Sequence, residues 1–171
     1  MIEKAHKPRR DVADPKQLLL GYLDYYRSAI ARKVAGLSEE DLRSSCVPSG
    51  WTPLELVKHL TFMERRWLVW GFLGEQVPTP RGDEDSSGHW YVSAPEAPAD
   101  LIAAMYAGGA RTRSIVEEAD LADIAAIGGR FSDADLRPTL AWTLAYVLQE
   151  YARHAGQLDV VRELFDGAVG E

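Results

Sequence analysis

The chain has 171 residues, a formal net charge of −7 and a single cysteine, Cys46. Hydrophobic residues make up 46% of it, enough for one domain, residues 1–171, with a sizeable core. An acidic chain lacks the basic stripe of a phosphate-tracking protein, so we expect no nucleic-acid partner. No apolar run approaches the roughly 18 residues of a membrane span. One cysteine allows no internal disulfide, so we expect a soluble, cytoplasmic protein.

Hydrophobic periodicity predicts four helices and almost no strand. They run from about Pro15 to Ala35, Pro53 to Leu73, Pro98 to Ala122 and Pro138 to Asp166. Residues 1–13 are predicted to be a flexible tail. Residues 77–97 contain prolines, glycines and an acidic stretch, so we predict a long loop between the second and third helices that could cover a site. The sequence therefore predicts an all-α, four-helix bundle.

The fourth helix contains an unusual pair of polar residues. Its apolar positions alternate in steps of four and three, and a histidine occupies one of them: Leu140, Leu144, Val147, Tyr151, His154, Leu158, Val161 and Phe165. The His154 imidazole is therefore predicted to point inward. Glu150 lies one turn earlier on nearly the same face. A buried carboxylate needs a proton, a cation or a metal.

The second helix offers another inward imidazole, because His59 follows Leu56 by three residues and precedes Met63 by four. Two imidazoles and a carboxylate on two helices are a common ligand set for catalytic zinc. A plainer interpretation stays open: His154 bonds to a backbone carbonyl in the core, and Glu150 is its i,i+4 partner. Position alone does not choose between them.

Two motifs resemble the DinB-like superfamily, which includes mycothiol-dependent maleylpyruvate isomerases and bacillithiol transferases. They are Gly50-Trp51-Thr52-Pro53 followed by Leu56-Val57-Lys58-His59-Leu60, and Glu150-Tyr151-Ala152-Arg153-His154-Ala155-Gly156-Gln157-Leu158. The resemblance spans nearly the whole chain. It implies a four-helix bundle, often a homodimer, that holds a divalent metal, commonly zinc or nickel, with one ligand on the second helix and two on the fourth.

Transferred residue by residue, the resemblance makes His59 and His154 metal ligands. Glu150 stands where many relatives have a third histidine and where mycothiol-dependent isomerases have a carboxylate. Gln157 stands where a close subgroup often has a histidine, so either Glu150 or Gln157 could complete the site. Trp51 lines the mouth of a pocket in one interpretation and is a hydrophobic staple before the helix cap in the other.

The leading functional hypothesis is a metal-dependent thiol S-transferase or isomerase that uses a low-molecular-weight thiol and a small-molecule substrate. A metal can lower the pKa of a bound thiol, so no protein nucleophile is needed. Two alternatives remain. One is a non-catalytic bundle that binds a small molecule or a partner helix; the other is a metal-dependent hydrolase, although the chain has no H-E-x-x-H motif.

Overall fold

The computed structural model describes residues 5–169 and contains five α-helices. These are α1 (Pro15–Ala35), α2 (Glu39–Leu42), α3 (Pro53–Trp67), α4 (Pro98–Glu118) and α5 (Leu140–Asp166). No strand occurs among the described residues, where the extended contacts are two isolated bridges. The predicted all-α class is confirmed. Within the same residues, every helix is too short or too polar to cross a bilayer.

Local sequence signals explain where the long helices begin. The Asp14 side chain accepts from the backbone N–H of Lys16 at 2.8 Å and caps α1. Thr52 and Glu55 form a capping box at the start of α3, with a proline in the first turn. Thr139 caps α5, so this helix starts two residues later than predicted. These capping residues satisfy backbone N–H groups that the helices cannot pair internally.

The helix ends differ from the prediction in two places. After Trp67 the chain continues as a π-helical turn, Leu68–Phe72, in which Leu73 N–H donates to Leu68 C=O at 3.0 Å. The helix α4 ends at Glu118 rather than near Ala122, because the Asp123 carboxylate accepts from Asp120 N–H and closes a turn. The short helix α2, in the first linker, was not predicted from the sequence.

The four long helices pack in the cyclic order α1, α5, α3, α4. Their apolar faces and the first linker form one buried core. On α5 the predicted inward positions are buried from Leu140 to Val161, and Phe165 is half-buried. This order places α3 beside α5, so the inward faces of the two helices meet.

The described part of the predicted tail, residues 5–13, contacts α1. Ala5 N–H donates to the Ser28 hydroxyl at 3.0 Å, and the Pro8 ring lies against Gly21. Residues 1–4 lie outside the described part of the chain. The loop 77–97 lies along α3, where Arg65 and Arg66 donate to its backbone carbonyls. The loop is thereby held beside the part of α3 that faces α5.

Candidate metal centre

Three potential metal ligands meet where α3 faces α5. His59 lies on α3, while Glu150 and His154 lie one turn apart on α5. One ligand atom from each residue lies within 4.8 Å of the other two. The side chains of His59, Glu150 and His154 keep 13%, 12% and 6% of their surface exposed. The structure thus brings together the three predicted residues in a site that is almost closed to water.

Hydrogen bonds orient both imidazoles in the same way. His154 Nδ1 lies 2.7 Å from Gln157 Oε1, and His59 Nδ1 lies 3.1 Å from an Asp83 carboxylate oxygen. Both acceptors favour the tautomer with the proton on Nδ1. Nε2 is then unprotonated on each ring, and in His154 it lies 3.3 Å from a Glu150 oxygen. Metal-ligating histidines commonly donate their other N–H to such an oxygen.

Asp83, in the loop 77–97, anchors the His59 ring. Its fully buried carboxylate accepts from Arg66 Nη1 at 2.5 Å and from Nη2 at 3.1 Å, as well as from His59. Burial alone would raise the pKa of Asp83, but the hydrogen bonds from His59 and Arg66 outweigh it and hold the pKa below its usual value. Sequence analysis missed this residue, because no periodicity indicates where a loop carboxylate will point.

Trp90, from the same loop, covers the two imidazoles. Its ring stacks on His59 with centroids 4.1 Å apart and meets His154 edge-on at 5.3 Å. The Trp90 ring also lies edge-on to Trp51, with ring centroids 6.3 Å apart, and the two indoles line a cavity of about 460 Å³. His89, which also lines this cavity, is exposed. The loop therefore does cover a site, and Trp51 borders the cavity next to it.

The surroundings of His154 favour its neutral form. Burial lowers the pKa of His154, and the nearby His59 adds to this effect, whereas the Gln157 oxygen and the negative charge of the Glu150 carboxylate, which stabilise the protonated ring, oppose it. A neutral imidazole is the form that binds metal ions.

The donor set fits a divalent metal. Two borderline imidazole nitrogens and one carboxylate oxygen form a donor set that zinc accepts and that also suits nickel, and three protein ligands leave a position open. Within residues 5–169 this is the one group of three or more histidine, cysteine or acidic residues with metal-ligand spacing. The chemistry of the three side chains and the orientation of both rings therefore agree with a metal site.

Comparison with known protein families places the chain. The family model described as Mycothiol-S-transferase matches residues 18–167. The chain belongs to the Mycothiol-S-transferase family. This family is part of the DinB-like superfamily, so the resemblance found in the sequence is confirmed. No curated protein matches the chain.

Four arginines of this Mycothiol-S-transferase family member, Arg65, Arg66, Arg130 and Arg153, have different surroundings. Arg65 and Arg66 donate to the loop 77–97, so both hold the cover of the site in place. Arg153 is exposed on α5. The Arg130 guanidinium lies 4.0 Å above the Trp67 ring. Sequence analysis could not distinguish these environments, which depend on tertiary contacts.

Proposed function

We propose that the chain is a metal-dependent thiol S-transferase or isomerase, in which His59, Glu150 and His154 hold a zinc or nickel ion. The observation that carries the proposal is the convergence of these three residues, with both imidazoles oriented by neighbouring oxygens. Membership of the Mycothiol-S-transferase family supports mycothiol as the thiol cosubstrate. The single unpaired cysteine supports a cytoplasmic location, and we further propose one domain and a homodimer.

A divalent ion bound in this site would lower the pKa of a coordinated thiol, so that the thiol would ionise near neutral pH. The residues of the chain orient and enclose the reactants. Asp83 and Gln157 hold the two imidazoles through hydrogen bonds to Nδ1. The carboxylate of Glu150 would offset part of the positive charge of the metal ion. Trp90 keeps bulk water from the imidazoles, which strengthens electrostatic interactions in the site. No side chain of the protein needs to act as the nucleophile.

Metal content is the first test. Protein purified without a chelating tag is expected to contain near-stoichiometric zinc or nickel, and His154→Ala is expected to lose it. His89→Ala is the matched control, since His89 is an exposed loop histidine and its removal should leave the metal content unchanged. A wild-type protein that contains no metal, and takes up neither ion when it is added, would contradict the proposal and favour a non-catalytic bundle.

Reactivity is the second test. Metal-loaded protein is expected to accelerate the reaction of mycothiol with an electrophile such as monobromobimane, and the metal-free form to lose this activity until the metal is restored. Full activity without metal would exclude the mechanism. Hydrolysis of an ester in the absence of thiol, at a rate that depends on the metal, would instead identify a metal-dependent hydrolase.

A further inference from the structure

A cluster of aromatic rings with one arginine lies beside the metal centre. We call it the Trp67 cluster; it consists of Trp67, Arg130, Trp142 and Tyr146. Trp142 stacks on Tyr146 with centroids 5.3 Å apart and planes 13° apart, and Trp67 lies 4.6 Å from Tyr146. The Arg130 guanidinium lies 4.0 Å above Trp67. Half of Trp142 is exposed, so the cluster is open to solvent.

The cation in this cluster has no counter-charge in the described part of the chain. None of the ion pairs among residues 5–169 includes Arg130. The charged groups that act on it are Arg66 and Arg81, which are also cations, and their carboxylate partners are already engaged. A half-buried guanidinium stacked on an indole keeps its in-plane N–H donors available for a carboxylate, which it binds with two parallel hydrogen bonds.

The Trp67 cluster is continuous with the metal centre. Tyr146 lies one turn before Glu150 on α5, a rise of about 6 Å along the helix axis. Side chains four residues apart on a helix are neighbours, so the Tyr146 ring lies on the same face of α5 as the Glu150 carboxylate. A small molecule against the rings of the cluster would therefore lie within one helical turn of the candidate metal ligands.

We infer that the Trp67 cluster binds the electrophilic substrate and selects flat molecules that have a carboxylate. The half-exposed Trp142 ring offers stacking to a planar body, and Arg130, which lies on the neighbouring Trp67, offers a bidentate contact to the anionic end. The charge of Arg130 favours this occupant over a second copy of the chain. The net charge of a second copy is −7, but in a two-fold dimer its matching aromatic face would place a second Arg130 cation near the first. The inference rests on the proposed function, because the substrate must meet a thiol at the adjacent site.

Calorimetric titration of two unreactive analogues tests the inference on metal-loaded protein. The wild type is expected to bind para-nitrobenzoate about tenfold more tightly than para-nitrobenzamide, a molecule of the same shape without the charge. Arg130→Gln is expected to remove this difference without changing the Kd of the amide. Arg153→Gln, which removes an exposed arginine from α5, is the control and is expected to keep the difference in Kd between the two analogues. Trp67→Leu is expected to weaken the binding of both analogues.

Equal Kd values for the two analogues in the wild type, or a preference that survives Arg130→Gln, would overturn the inference. The absence of binding by either analogue would overturn it as well. If Trp142→Ala then also converts a dimer to a monomer in sedimentation, the cluster is an interface between two copies of the chain. Metal content and thiol-transfer activity are measured on the same samples. A carboxylate preference in protein that holds no metal would support the anion site and contradict the proposed function, so the two failures are distinguishable.

Discussion

Asp83 is expected to control both the stability of the fold and the affinity of the site for zinc. Its carboxylate is fully buried and accepts from two guanidinium nitrogens of Arg66 and from Nδ1 of His59. Asp83→Ala removes all three acceptor contacts. Asp83→Asn keeps the shape of the side chain and one acceptor oxygen but removes the charge. Asp83→Asn therefore tests the negative charge of the side chain, and Asp83→Ala tests all of its contacts together.

The structure sets the size of each effect. Removing one partner of a buried ion pair costs about 3–5 kcal/mol, because the other charge stays buried. Arg66 retains one further acceptor, the Pro80 carbonyl at 3.2 Å, so Asp83→Ala is expected near the lower end, at about 3 kcal/mol. In Asp83→Asn the His59 ring loses its charged acceptor. The loss of such a contact weakens metal binding by about 10–100-fold, and we expect a similar loss for zinc.

Two assays measure these effects. Urea unfolding of the metal-free protein gives the stability, and competition with a chromophoric chelator gives the zinc Kd. Asp85→Asn is the matched control, because Asp85 lies in the same loop with an exposed side chain and the asparagine keeps the oxygen that accepts from Ser87 N–H and His89 N–H, so it should change neither quantity. An unchanged zinc Kd in Asp83→Asn would refute the orienting role. A stability of Asp83→Ala within about 0.5 kcal/mol of the wild type would refute the importance of the ion pair.

Three further predictions concern the stability of the fold and its pH dependence. Gly109→Ala is expected to lower the free energy of unfolding by about 1–3 kcal/mol, since a Cβ there would lie 2.7 Å from Nε of the buried Arg27. The control is Gly156→Ala, which has open space around the new methyl group and should raise the free energy of unfolding in urea slightly. Glu64→Gln is expected to cost about 3 kcal/mol in the same assay, because the buried Arg27 then keeps only the half-exposed Asp24 as a counter-charge. Burial raises the pKa of Glu96, but hydrogen bonds with Lys58 and Ser93 outweigh this effect, so the pKa in the folded protein is depressed. The ionised Glu96 therefore stabilises the fold above the unfolded-state pKa, and this stabilisation is lost as the pH falls through the folded-state pKa. Glu96→Gln should reduce the loss of stability at acid pH that urea unfolding measures.

The positions of the candidate ligands followed from helix geometry. An alternation of four and three residues identifies the buried face of a long helix, so the inward direction of His154 could be predicted from its spacing along the chain. Glu150 then lies on the same face by its spacing of four. The packing of α3 against α5 then brings His59 to the other two residues.

The cover of the site could not be predicted in the same way. Asp83 and Trp90 belong to the loop 77–97, whose residues show no periodicity that would indicate which side chains point inward. Their positions depend on long-range contacts, such as the bond between Asp83 and Arg66 and the stacking of Trp90 on His59. The composition of the loop indicated only that it was long and irregular. Such contacts leave no local pattern, because the partners are separated along the chain.

A second polar cluster explains how α5 keeps the rotation that the metal centre requires. Glu64 on α3 accepts from Arg27 of α1, from Thr112 of α4 at 2.5 Å and from the Tyr151 hydroxyl of α5 at 2.8 Å. All four side chains are buried, so each needs its partner. Tyr151 lies between the two candidate ligands on α5. Since a rotation of α5 about its axis would break the bond from Tyr151 to Glu64, the polar core opposes any turn that would carry His154 away from α3. Because the loss of any one partner leaves another polar group buried and less well paired, we expect each of these contacts to help hold α5 in the rotation that the site needs.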